Sequence, residues 1–100
     1  MLVKLNKNTE HEIYELIVDC VDVPLHLRRA FYDKTTGIIY LLGDPLSLCL
    51  AEESDEKINC IQLDRYFYFP SGWLHKIYPT SKYDYVEELI RSTIKKEFQE

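Results

Sequence analysis

The side chains best suited to proton transfer or metal binding in this chain are His11, His26 and His75, and they stand far apart in sequence. No two have the i, i+4 spacing that places two ligands on one helix face, and no Glu-x-x-His pattern occurs. A catalytic group would have to be assembled by folding, and Asp64, Tyr66 and His75 are the polar trio that a hairpin over this region would gather. Cys20, Cys49 and Cys60 form no Cys-x-x-Cys pair and leave one thiol over in any pairing. They read as small buried apolar residues of a reducing compartment, not as a disulfide framework or a zinc knuckle. The three glycines are each explicable as turn residues, so no phosphate-cradling loop is expected. These residues predict a non-enzymatic protein with no cofactor and no metal site.

Binding chemistry is better represented. Glu12, Glu15, Asp19 and Asp22 are spaced three, four and three, and on a helix turning roughly 100° per residue they share one edge. No Lys or Arg lies among them, and Asp22 would fall at the carboxyl end, where the helix dipole disfavours an anion. The run Glu52-Glu53-Ser54-Asp55-Glu56 is a second negative concentration. Local choices that cost stability without compensation are where function is sought.

Aromatic residues are the other resource. Six of the thirteen fall between Tyr66 and Tyr78. Phe69-Pro70-Ser71-Gly72 has the composition of a type I turn, which would set Tyr68 opposite Trp73, Phe67 opposite Leu74 and Tyr66 opposite His75. One face would then carry Phe67, Phe69 and Leu74 as core. The other would present Tyr66, Tyr68, Trp73 and His75, rings that give large contact area at low entropic cost.

The net charge of −5, from seventeen acids against twelve Lys and Arg, opposes a phosphate backbone. Arg28 with Arg29, and Arg65 with Lys76, are too few for a nucleic-acid groove, so nucleic acid is an unlikely partner. A basic protein fits better, with a second copy of the chain as the alternative: a self-associating structural or regulatory subunit. Small acidic α+β proteins include inhibitors that neutralise a basic enzyme, immunity proteins among them, and the chain is similar to these in size, charge and expected fold class.

The elements that would position these residues begin with a short strand at Leu2 to Leu5. Thr9 and Glu12 have capping-box spacing, and Ile13, Leu16, Ile17, Cys20 and Val21 recur at three and four, which predicts an N-terminal helix ended by Pro24. Asp33 and Gly37 bracket a hairpin loop. Leu46, Leu48 and Leu50 alternate, predicting a strand after the Gly43-Asp44-Pro45 turn. A turn centred on Ser54 and Asp55 would pair it with a strand from Ile58 to Phe69, setting Glu52 opposite Lys57 and Cys49 opposite Cys60. Ser81 and Asp84 open a C-terminal helix, with Val86, Leu89, Ile90, Thr93, Ile94 and Phe98 inward and Glu87, Glu88, Arg91, Lys95 and Lys96 toward water.

The expected fold is α+β: an N-terminal helix, a four- to five-stranded antiparallel meander and a C-terminal helix, the helices packed on one sheet face. One hundred residues at 46% apolar and 29% charged predict a single domain, 1–100, that folds. The longest apolar run, Ile38 to Leu42, is too short to span a bilayer, and the first residues lack a signal-peptide core, so a cytoplasmic protein is expected.

Overall fold

The structure, a computed structural model, describes residues 2–4, 12–18, 28–77 and 83–98. Its elements are β1 (Leu2–Lys4), β2 (Ile13–Ile17), β3 (Arg29–Asp33), β4 (Ile38–Leu42), α1 (Pro45–Glu53), β5 (Ile61–Leu63), β6 (Tyr66–Pro70), α2 (Ser71–Ile77) and α3 (Tyr83–Glu97). The strands form one antiparallel six-stranded sheet in the order β1-β2-β3-β4-β6-β5. The protein is therefore α+β.

The N-terminal helix is corrected to a strand where the structure describes it. Ile13, Leu16 and Ile17 fit a helical period, but Tyr14 and Leu16 also alternate with Ile13, Glu15 and Ile17. Pairing to β1 on one side and β3 on the other satisfies the backbone, with Leu16 fully buried opposite Ala30. The Glu12 carbonyl accepts from the Lys34 amide at 2.8 Å, and the Glu12 amide donates to the Thr35 hydroxyl at 3.0 Å, prolonging that pairing into the next loop. Thr9, Asp19, Cys20, Val21 and Asp22 lie outside the described residues.

The β3–β4 hairpin forms as its loop chemistry dictates. The Asp33 carboxylate accepts from the Thr35 and Thr36 amides at 2.9 and 3.3 Å, and the Gly37 amide donates to the Asp33 carbonyl at 2.7 Å. Gly37 has φ 80°, a conformation that costs a residue without a Cβ least.

Three further expectations are corrected between residues 43 and 77. Leu46, Leu48 and Leu50 lie on a helix, because Asp44 accepts from the Ser47 amide at 2.9 Å while Ser47 Oγ accepts from the Asp44 amide at 3.2 Å. That reciprocal cap, with Pro45 in the first turn, selects helix over strand. With the strand gone, Glu52 does not face Lys57, nor Cys49 Cys60; both cysteines are free and exposed, not buried as expected, because Cys49 falls on the solvent side of α1 and Cys60 precedes the edge strand β5. The long strand expected after Ile58 is divided at Asp64, whose φ of 57° turns β5 into β6. Pro70 closes β6 and Ser71 opens α2 directly, so the Phe69–Gly72 hairpin does not form.

The C-terminal helix stands as expected, with Ile90 fully buried and Lys95 and Lys96 in its last turn. Ser81 lies outside the described residues. Alternation divides the sheet into two faces. Leu16, Ala30, Ile39, Leu41 and Phe69 share a core with Leu74 of α2 and Ile90 of α3, against which Leu48, Ala51 and Trp73 pack. Phe31, Tyr40 and Tyr68 form a second buried cluster on the opposite face, edged by Ile13, Leu42, Ile61 and Leu63.

Candidate functional site

Of the acidic edge expected on an N-terminal helix, the described residues are Glu12 and Glu15, and they lie at and on a strand, not on a helix. In β2 the positions alternate, so Glu12 and Glu15 part company. Glu12 accepts a hydrogen bond from Tyr14 at 3.0 Å, which is the main cause raising the phenol's pKa above its ordinary value. Glu15 pairs with Arg29 at 3.5 Å across the β2–β3 ladder. Two of the four carboxylates are thus engaged within the chain, and Asp19 and Asp22 fall outside the described residues.

The aromatic face is divided in the same way. Tyr68 is 2% exposed and packs edge-on against Phe31, with ring centroids 4.6 Å apart, so it is withdrawn from any free surface. Burial raises its pKa, and the hydrogen bond with Arg29 opposes that rise. Tyr66 remains exposed beside the Asp64–Arg65 turn, on the sheet face of Tyr68. Trp73 belongs to α2, half-buried, its ring 5.3 Å from that of Phe69. The expected trio of Asp64, Tyr66 and His75 gives way to a different one, because His75 is engaged on α3.

That engagement is a polar contact between α2 and α3. The His75 ring Nε2 hydrogen-bonds the Glu87 carboxylate, Arg91 donates to Glu87 at 2.9 Å, and Ser71 is a third donor. Burial alone would raise the Glu87 pKa, but the hydrogen bonds from Ser71 and His75 and the charge of Arg91 outweigh it and hold the carboxyl below its ordinary value. Ser, His and Glu are the residue types of a hydrolytic triad. A nucleophile needs its hydroxyl on the base, however, and here Ser71 and His75 converge on Glu87. The arrangement ties α2 to α3. Glu87 was expected to face water and instead is only 14% exposed at its side chain.

Tying α2 down fixes one side of a surface groove of about 590 Å³. Its apolar lining is Leu50 of α1 and Trp73 and Ile77 of α2, all half-buried. Glu53 at the end of α1 and Asp55 and Glu56 of the following turn line it on the α1 side, and Lys76 lines it on the α2 side. None of these three carboxylates makes an ion pair among the described residues, and all are exposed. Glu52 and Glu53 close α1 with no base in its last turn, where the helix dipole disfavours each acid by roughly 0.3–1 kcal/mol. The uncompensated acids read from the sequence at Asp22 thus have a structural counterpart here.

Sequence reasoning marked the Glu52–Glu56 run but missed Leu50, Lys76 and Ile77 as its neighbours. The signal was Asp44-Pro45-x-Ser47: read as a cap, it makes residues 45–53 helical and places the acids at a helix end. Among the described residues no group of three or more His, Cys, Asp or Glu is placed to hold a metal ion. No helix among the described residues is long and apolar enough to cross a membrane.

The site and fold define a small α+β protein with a groove lined by acids and a tryptophan ring. Compared with known proteins, the chain matches no family model, no curated sequence and no solved structure.

Proposed function

We propose that the chain is a non-enzymatic protein-binding module that receives a basic partner in the groove between α1 and α2, as an inhibitor or immunity-type protein neutralising a basic enzyme would. The observation that carries this reading is the coincidence of three carboxylates unpaired among the described residues, Glu53, Asp55 and Glu56, with the half-buried ring of Trp73. Carboxylates exposed at a rim steer and orient an approaching cation, while a partly buried aromatic floor supplies contact energy once water is displaced. The net charge of −5 adds a long-range attraction of the same sign. The reading takes the three helices as one layer over the sheet face of Leu16 and Leu41, an arrangement supported by their shared core.

The test is affinity purification with the native chain and with a Glu53→Lys, Asp55→Lys, Glu56→Lys variant shown by circular dichroism to be folded. The native chain is expected to retain a basic protein that the variant loses. A partner that is not basic, or one bound equally by both, would overturn the reading.

A second reading is self-association. Ile17, Ile38 and Tyr66 are exposed at 43%, 38% and 40% and all lie on the sheet face of Phe31 and Tyr68. A two-fold pairing of that face would cover them. Sedimentation decides this: a mass that stays monomeric at every concentration removes the reading.

A further inference from the structure

The lining of the groove restricts what can enter it. The residues that line it belong to α1, the turn after it and α2 and none to a strand, so an extended peptide would find no strand edge to pair with there. Recognition there must run through side chains. The volume of about 590 Å³ lies within the range of about 300–1,000 Å³ typical of ligand sites and exceeds what one side chain fills. The charges are also asymmetric across the groove: Glu53, Asp55 and Glu56 come from α1 and the turn after it, and Lys76 comes from α2. The carboxyl end of α1 adds its partial negative charge to the acidic side.

We infer that the element received is a basic amphipathic helix of the partner, its apolar stripe on Leu50, Trp73 and Ile77 and its cationic flank toward Glu53, Asp55 and Glu56. This rests on the protein-binding reading above and deepens it. A helix presents apolar anchors at i, i+3, i+4 and i+7 along one stripe, which matches an apolar lining with acids on one side and Lys76 on the other. Cations on the flank facing Glu53 gain attraction, whereas the opposite flank, facing Lys76, accommodates an acid or neutral residue. Charge complementarity therefore fixes both the sign of the partner helix and which flank of it faces which side of the groove.

Trp73 is the sole tryptophan of the chain, so its fluorescence reports on this groove alone. The probe is a synthetic peptide of about 18 residues, long enough to be helical, built from Leu, Ala and Lys with the lysines on one flank. Its control is a scrambled isomer of the same composition and charge. The amphipathic peptide is expected to change the Trp73 emission saturably, to bind at least about tenfold more tightly than the scrambled isomer, and to lose that advantage on the Glu53→Lys, Asp55→Lys, Glu56→Lys variant. Equal binding of the two peptides would overturn the helical occupant and leave only a charge preference. Absence of any emission change or binding heat with the amphipathic peptide would overturn it as well. If the basic protein retained in affinity purification is still lost by the charge-reversed variant, that failure belongs to the helix and not to the protein-binding reading.

Discussion

At Gly43 an added Cβ would stand 2.4 and 2.6 Å from two ring carbons of Phe69 and 3.0 Å from the Cβ of Ser47. Phe69 and Ser47 are both fully buried, so neither has room to withdraw. The Gly43 amide also donates to the Phe67 carbonyl at 2.9 Å, which fixes the backbone as well as the space. Gly43→Ala is accordingly expected to cost about 1–3 kcal/mol, read as a lower urea midpoint at an unchanged slope. Gly72 is the control. It lies within α2 with nothing within 4 Å of where a Cβ would stand, and Gly72→Ala is expected to stabilise by about 0.4–1 kcal/mol. Equal effects of the two substitutions would sink the account of close packing at residue 43. At this scale the sequence was legible for Gly37, whose turn chemistry is local. It was silent on Gly43, whose constraint comes from a ring twenty-six residues away.

Elements read well where their signal was local and badly where a neighbour decided. The Asp33–Gly37 loop and the C-terminal helix carry their own turn and stripe chemistry. Residues 13–17 fit two periods at once, and the choice was made by β1 and β3, which no local pattern reveals. Helix α1 is the instructive case, since its alternating leucines point to a strand and its cap points to a helix. Asp44→Ala removes the cap and is expected to cost about 0.5–2 kcal/mol. A drop in thermal midpoint together with a loss of helical signal in circular dichroism checks it. Between α2 and α3 the relevant group is Glu87. Its pKa is below the ordinary value of 4.5 in the folded chain, so the stability it confers is fully present above about that pH and is lost as pH falls through the lower, folded value. Arg91 is 62% exposed and its share is screened, which leaves His75 and Ser71 as the main donors. Glu87→Gln is expected to cost about 1–2 kcal/mol at neutral pH. The gap from the native chain should then close as pH is lowered below the ordinary carboxyl value of 4.5. Parallel urea midpoints of the two proteins across that range would contradict the tie.

For the molecule as a whole, the sequence was read correctly as α+β and as acidic, while the candidate site moved. Composition survives any rearrangement of elements, so the net charge of −5 stands, and with it the motive for proposing a basic partner, wherever the acids end up. Position does not survive: Glu12 and Glu15 are engaged in the sheet, and Glu53, Asp55 and Glu56 inherit the role proposed for them. On the proposed reading the two components of the groove act at different stages of association, and kinetics can separate them. Rim carboxylates act while the partner is still approaching through solvent, over a screening length of about 8 Å at physiological salt. The floor acts only after contact. Stopped-flow mixing with the amphipathic lysine peptide should therefore show an association rate that falls with added salt. Lysine at Glu53, Asp55 and Glu56 should lower that rate about tenfold or more at low salt and flatten its salt dependence. Trp73→Ala, followed with a fluorophore on the peptide, should leave the association rate within about twofold and raise the dissociation rate at least about tenfold. If the two sets of substitutions changed the same rate constant, the division between a steering rim and a binding floor would be wrong.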